Sequence, residues 1–252
     1  MKLEVVNVSK SFGGNHVLKD VNIHLAEGEL VSLIGTSGCG KSTLFNIIAG
    51  LLHPETGAVY LDGRNVTDLP GQVSYMLQKD LLLPHKTVLD NVCLPLVIRG
   101  IGKAEARERA AVYFEQFGLK GYEKKYPAQL SGGMRQRAAL LRTFLFSGEV
   151  ALLDEPFSLL DTITKAEMHA WYLSVMEEIR LSTLFITHDI DEALLLSDRV
   201  YVIAGQPGPP STIVYELTIE NRKEKTPEYL LTEEFLAYKR MLLEHGLRKI
   251  QG

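Results

Sequence analysis

The sequence predicts an α/β protein with an open, largely parallel sheet and helices on both faces. Three observations carry this prediction. A short apolar run, Leu30–Ile34, ends in a glycine-rich loop that leads into a helical segment. Three further apolar runs, Val150–Leu153, Thr183–Thr187 and Val200–Ala204, are short enough for strands buried on both faces. Helical patterns lie between them, which is the alternation that produces a parallel sheet with covering helices.

Taken in order, residues 3–8 and 19–25 read as strands separated by the turn-like Gly13-Gly14-Asn15. Lys41–Leu52 has helical character, and Ala58–Leu61 with Val73–Leu77 suggests a second short strand pair. Residues 86–126 read as mostly helical, with Lys103–Ala110 rich in strong helix formers whose charges suit a solvated face. A further helix runs from near Ser131 through Arg142. Gly205–Pro210 is a breaker, Thr212–Leu217 a final strand, and Glu220–Lys225 a polar linker. Either Thr226-Pro227 or Thr232 can start a terminal helix near Leu230–Leu247, since each offers an N-cap hydroxyl.

Bulk composition narrows the function classes. The 252 residues suit one large α/β domain or a domain with a small appendage. A net charge of −4 gives no basic footprint of the kind nucleic-acid binding leaves, so no nucleic-acid partner is expected. Two cysteines, Cys39 and Cys93, do not form a disulfide framework, and the expected compartment is the reducing cytosol. Met1–Val5 carries no apolar signal core. No stretch approaches the roughly 18–20 apolar residues of a membrane span, so any action at a membrane requires another chain to cross it.

The chemistry begins at Gly35-Thr36-Ser37-Gly38-Cys39-Gly40-Lys41-Ser42-Thr43, a match to G-x-x-x-x-G-K-[ST]. Glycines let the backbone curl so that successive N–H groups point inward at phosphate oxygens, and the following helix adds its positive end. In this arrangement Lys41 reaches the β and γ phosphates, and the Ser42 hydroxyl holds Mg²⁺. Cys39, near a helix start and Lys41, has features that can lower a thiol pKa, but it reads more simply as a small loop residue.

Val150-Ala151-Leu152-Leu153-Asp154-Glu155 is an apolar strand ending in two carboxylates, at the sheet edge where ligands bind in such folds. Asp154 is positioned to support Mg²⁺ through water, and Glu155 to polarise an attacking water. Leu130-Ser131-Gly132-Gly133-Met134-Arg135-Gln136-Arg137 offers a second anion-binding helix start. One triphosphate does not need two such sites in one chain. The economical explanation is that Ser131 and Gly133 serve a nucleotide held by a second subunit.

With that segment the sequence resembles the ABC ATPase family, whose signature is LSGGQ; here Met134 stands where Gln is usual, in the LSGGMRQR form common in that family. The resemblance covers roughly residues 2–217. It implies a P-loop NTPase with an ABC-type RecA-like core, an N-terminal antiparallel β subdomain and a helical subdomain at about 86–145. The ATPase domain would span 1–217 and a C-terminal helical extension 218–252. It further implies that Phe12 stacks on adenine, that Gln78 contacts Mg²⁺ and the attacking water, that Asp161 is the key residue of a dimer-communication loop Ser158–Asp161, and that His188 contacts the γ-phosphate. Gly132 belongs with Ser131 and Gly133 in the segment offered to the partner.

The run Tyr75–Pro84 leading into Thr87–Val92, together with Phe157 after Glu155-Pro156, looks like the nitrate/sulfonate/taurine-type importer ATPases, a group that includes subunits for pyrimidine vitamin precursors. That likeness implies a homodimer with two ATP molecules at its interface, integral membrane permease subunits docked on residues 79–100, an indirectly associated extracytoplasmic solute-binding protein, and a place on the cytoplasmic face of the membrane. The rival is a soluble family member acting in translation or DNA repair. Such proteins usually carry two cassettes or a long coiled-coil insertion, whereas here one cassette has only residues 44–129 between its loop and its signature.

Overall fold

The computed structural model describes residues 1–147, 149–204, 210–220 and 226–247 of the chain. The chain order begins with β1 (Leu3–Phe12), β2 (Asn15–Leu25), β3 (Leu30–Ile34), α1 (Lys41–Ile48), β4 (Thr56–Leu61), β5 (Arg64–Asn65) and β6 (Ser74–Met76). Four helices follow: α2 (Val88–Val92), α3 (Leu94–Ile98), α4 (Lys103–Ala111) and α5 (Gly132–Ser147). The remainder is β7 (Val150–Asp154), α6 (Thr162–Ile179), β8 (Ser182–Thr187), α7 (Ile190–Leu196), β9 (Arg199–Ala204), β10 (Thr212–Thr218) and α8 (Glu233–Met241).

These elements form two sheets, a four-stranded antiparallel sheet ordered β2-β1-β4-β5 and a six-stranded sheet ordered β10-β9-β3-β8-β7-β6. The second is parallel except for β10, which runs antiparallel to β9. Its strands alternate between two apolar clusters. Leu30, Ile34, Ala151, Leu153, Phe185, Val200 and Val202 face one cluster, with α5, α6 and α7. Val31, Leu33, Val150, Leu152, Leu184, Ile186, Tyr201 and Ile203 face the other, with α1 and the antiparallel sheet. The period-2 alternation of a strand is what separates them.

Several boundaries differ from the sequence expectation, each for a local reason. β1 and β2 run on to the turn, pairing Phe12 with Asn15, because Gly13 and Gly14 (φ 55° and 87°) supply the positive-φ pair that matches strand twist. α1 stops at Ile48 rather than Leu52: Gly50 has φ 71°, and the Leu51 N–H returns to the Asn46 carbonyl at 2.8 Å. The expected pair of Ala58–Leu61 with Val73–Leu77 does not form. β4 pairs with β1, while β6 joins the parallel sheet beside β7.

Residues 112–126 are turns and irregular backbone rather than helix, with Gly118 and Gly121 at φ 65° and 86°. Phe114, Phe117 and Leu119 nonetheless bury themselves in the larger cluster. Buried Asn91 ties the loop before α2 together, accepting from Leu83 N at 2.6 Å and donating to the Leu83 carbonyl at 3.1 Å. Toward the C-terminus, Thr232 caps α8 by accepting from Phe235 N, and a 3₁₀ turn, Pro227–Leu231, precedes it. Phe235 is buried against Tyr229, and Lys239 Nζ lies 2.6 Å from Asp191 Oδ1, so α8 packs on α7. The Gly205–Pro210 breaker, except Pro210, and the Glu220–Lys225 linker, except Glu220, lie outside the described residues.

Candidate functional site

The parallel register brings three loops together at the carboxyl ends of neighbouring strands. Ile34 of β3 pairs with Thr187 of β8, and Asp154 of β7 pairs with Ile186 of β8. The glycine-rich loop, Glu155 and His188 therefore emerge side by side, where α/β sheets bind ligands. Between them is a cleft of about 620 Å³ lined by Phe12, Val17, Ser37, Gly38, Gly40, Lys41, Ser42, Thr43, Asp154, Glu155, Ile186 and His188.

Two glycines in the loop are required by the geometry. At Gly35 a Cβ would sit 2.4 Å from the Ile203 carbonyl oxygen and 2.9 Å from Cys39 Sγ. Gly40, the N-cap of α1, has φ 92°, and its Cβ would lie 2.9 Å from Leu18 Cδ2. Gly35, Thr36 and Cys39 do not line the cleft. Lys41 Nζ donates to the Gly35 and Thr36 carbonyls at 2.8 and 2.9 Å and lies 3.7 Å from Cys39 Sγ. Cys39 is buried there, which agrees with a small loop residue.

The carboxylates are held by specific partners. Ser42 Oγ donates to Asp154 Oδ2 at 3.3 Å. Burial pushes the Asp154 carboxyl above its ordinary range, against the opposing hydrogen bond from Ser42. Glu155 occupies left-handed backbone at φ 46°, with its N–H donating to the Ile186 carbonyl at 3.0 Å. Gln78 Nε2 donates to Glu155 Oε2 at 3.1 Å and to Ser158 Oγ at 3.2 Å. Ser158 Oγ in turn donates to the Glu155 carbonyl at 2.9 Å. His188 Nδ1 lies 3.3 Å from Glu155 Oε1. Phe12 is exposed at the cleft mouth, with Lys10 Nζ 5.3 Å from its ring centre.

Ser131, Gly132, Gly133 and Asp161 do not line this cleft. Ser131 Oγ accepts from Met134 N at 3.3 Å, in the manner of an N-cap for α5. Gly133 is buried with room for no side chain of consequence, since a Cβ would meet Thr164 Cγ2 at 3.2 Å. Asp161 caps α6, accepting from Thr164 N at 3.1 Å and Thr164 Oγ1 at 2.6 Å.

Sequence reasoning missed several participants. Val17 and Ile186 line the cleft, but apolar strand residues carry no motif. Gln136 Nε2 donates to the Pro156 carbonyl, tying α5 to the residue after Glu155. A glutamine on the buried face of a helix is the signal that could have revealed that link.

Hard oxygen donors on a strand end beside a phosphate loop suit Mg²⁺, which binds through one or two carboxylates or hydroxyls together with substrate phosphates. Among the described residues no group of three or more His, Cys, Asp or Glu side chains could hold a metal by itself. The donor set of Ser42, Asp154 and Gln78 thus fits an ion that arrives with phosphate.

Fold and cleft together define a P-loop nucleoside-triphosphate hydrolase. The family model for ABC transporters matches residues 18–158. The chain is 44% identical over 235 residues to the formylaminopyrimidine import ATP-binding protein ThiZ of Halalkalibacterium halodurans, covering 92% of both chains. It is 38% identical to the nitrate import ATP-binding protein NrtD of Synechocystis sp., covering 94% of this chain and 92% of that one. Among solved structures, the dimeric bacterial ABC transporter cassette MJ0796 matches with a TM-score of 0.70 and 30% identity, over 87% of this chain and 99% of that one. Its post-hydrolysis state bound to ADP and Pi matches with a TM-score of 0.71 and 31% identity, over the same shares. The chain belongs to the ABC transporter family, as an ATP-binding, ATP-hydrolysing subunit.

Proposed function

We propose that this chain is the ATPase of an importer for a small solute, of the sulfonate, nitrate, taurine or pyrimidine-precursor kind. The observation that carries the reading is the presence, on one chain, of a complete phosphate cleft and a second glycine-led helix start that does not line it. The names of the relatives, which include taurine import ATP-binding protein TauB of Pseudomonas aeruginosa at 42% identity, support import and this solute range.

In this reading Lys41 and the N–H groups of residues 35–43 offset phosphate charge, and the exposed ring of Phe12 stacks on adenine. Ser42, Asp154 and Gln78 hold Mg²⁺, which when bound neutralises phosphate charge and fixes the phosphate chain. Glu155 orients and polarises water, steadied by Gln78 on one oxygen and facing His188 on the other. Phosphoryl transfer needs positioning and charge neutralisation more than covalent help, and these residues supply both. Ser131, Gly132, Gly133 and Asp161 complete the cleft of a second copy, so ATP joins a homodimer that opens when the γ-phosphate leaves.

Among the described residues no helix is long and apolar enough to cross a membrane. An apolar groove of about 420 Å³, lined in part by Leu51, Leu81, Pro95, Ile98 and Phe146, suits a short helix from integral permease subunits. Leu81 and Ile98 are 53% and 74% exposed there. Docking would hold the subunit at the cytoplasmic face, beneath a permease fed by an extracytoplasmic solute-binding protein. Affinity capture of the tagged chain from gently solubilised native membranes tests this. A co-purifying multi-span protein with a solute-binding protein supports import, and ribosomal or DNA-repair partners without a membrane protein overturn it.

A further inference from the structure

Directly behind His188 lies a buried ionic cluster that the roles above leave unused. Glu192, on the first turn of α7, is 3% exposed. Its Oε1 lies 2.9 Å from His169 Nε2 and 3.2 Å from Lys165 Nζ, and its Oε2 accepts the Thr187 hydroxyl. Lys165 Nζ also donates to Asp189 Oδ2 at 2.7 Å. Asp189 N donates to Thr187 Oγ1 at 3.1 Å. Both chain neighbours of His188 are thereby clasped by one carboxylate and one ammonium, while the His188 side chain is 64% exposed. The backbone of Thr187 and Asp189 sets where that ring stands.

The other half of the clasp comes from α6. Lys165 and His169 lie one helical turn apart on the same face. Lys165 N donates to the Asp161 carbonyl at 2.8 Å, so the clasp begins one turn from the N-cap. A buried ion pair contributes little net stability, because desolvation offsets most of the attraction. What it does supply is one fixed arrangement of two elements. Burial alone would raise the Glu192 carboxyl, but the bonds from His169 and Thr187 and the Lys165 charge hold it below its ordinary range, so the cluster is ionic.

We propose that Glu192, with Lys165 and His169, positions His188. This rests on the role given above to His188. None of the three touches the cleft, so they are positioning residues, acting through backbone.

The test uses ATP hydrolysis and calorimetric ATP binding by the full chain, for Glu192→Gln, Lys165→Met, Lys165→Arg, His188→Ala and the Glu192→Gln/His188→Ala double variant. The single variants Glu192→Gln and Lys165→Met are expected to lose roughly tenfold in kcat with KM and ATP affinity within about twofold of the parent. Lys165→Arg restores most of the loss. The double variant is no slower than His188→Ala alone, because the clasp acts only through that ring. Losses that multiply in the double variant, or unchanged kcat in a folded Glu192→Gln, overturn the proposal. Should Glu192→Gln unfold, the same cycle with Lys165→Met decides. If His188→Ala hydrolyses ATP like the parent, the reading of the cleft fails and this inference falls with it. If His188→Ala is slow while the clasp variants are not, only the inference falls.

Discussion

His188 Nδ1 lies 3.3 Å from Glu155 Oε1, joining the loops that follow β8 and β7 across the mouth of the cleft. Gln78 holds the other oxygen of the same carboxylate at 3.1 Å. Glu155 therefore reaches the cleft with its orientation set from two sides. Replacement by Gln keeps the shape and removes the carboxylate proposed as the base. Glu155→Gln is expected to bind ATP normally and to hydrolyse it at least about 10²-fold more slowly, the usual scale for acid–base assistance. Calorimetric binding beside phosphate release measures both. Near-normal turnover would remove Glu155 from its role.

The absence of Ser131–Gly133 from the lining of the cleft makes a prediction about mixed dimers. Lys41→Ala should weaken ATP binding, and Ser131→Arg should block the helix start proposed to face the partner. Each variant alone should be inactive. Mixed together they form dimers in which one cleft has an intact Lys41 and faces an intact Ser131. ATPase activity should then return to a substantial fraction of the parent. Failure to recover any activity in co-purified mixed dimers would argue that each chain works alone.

Gly35 has no room for a methyl group, with Ile203 O at 2.4 Å and Ile203 Cγ2 at 2.8 Å from the position of a Cβ. Gly35→Ala must shift the phosphate loop or β9. An overpacking cost of about 1–3 kcal/mol is expected by urea unfolding. ATP affinity should fall too, since the Gly35 carbonyl is one of the two that Lys41 binds. Unchanged stability and affinity would mean that the loop tolerates displacement.

Acid should loosen α7. The carboxyls of Asp189 and Glu192 sit below their ordinary values of 3.8 and 4.5. Burial raises each, but it is outweighed by Lys165 and backbone N–H bonds at Asp189 and by His169, Thr187 and Lys165 at Glu192. A carboxyl whose pKa is lower in the folded state contributes stability above its unfolded value and loses it as pH falls through the folded one. Tm should therefore drop as pH falls below the ordinary value of 4.5, and Glu192→Gln should flatten that decline. An identical acid slope in the variant would show that the carboxylate is not the group responsible.

The contiguous features were readable from the sequence because their geometry is local. Residues 35–43 follow a buried strand and open a helix, and Asp154-Glu155 ends an apolar run; spacing along the chain alone carries both. Pairings between distant segments were not readable. Ala58–Leu61 and Val73–Leu77 have the same strand character, and nothing in either says that one belongs beside β1 and the other beside β7. The turns at 112–126 were hidden because Phe114, Phe117 and Leu119 mimic a helical apolar pattern while filling the core from irregular backbone. Nothing beside Glu192 in the sequence marks it as buried, and only the approach of Lys165 and His169 from α6 makes it an interior anion.

Adjacent residues of β7 belong to different interiors: Leu152 packs with the glycine-loop side and Leu153 with the α5 and α6 side. The sheet thus works as a partition. Substitutions at Leu153, Phe185 or Val200 bear on the half under α5, the helix that follows Ser131, while the packing beside α1 and Lys41 draws on the other face of the sheet. A lineage can in this way repack the helical side while the side that carries the phosphate loop stays as it was.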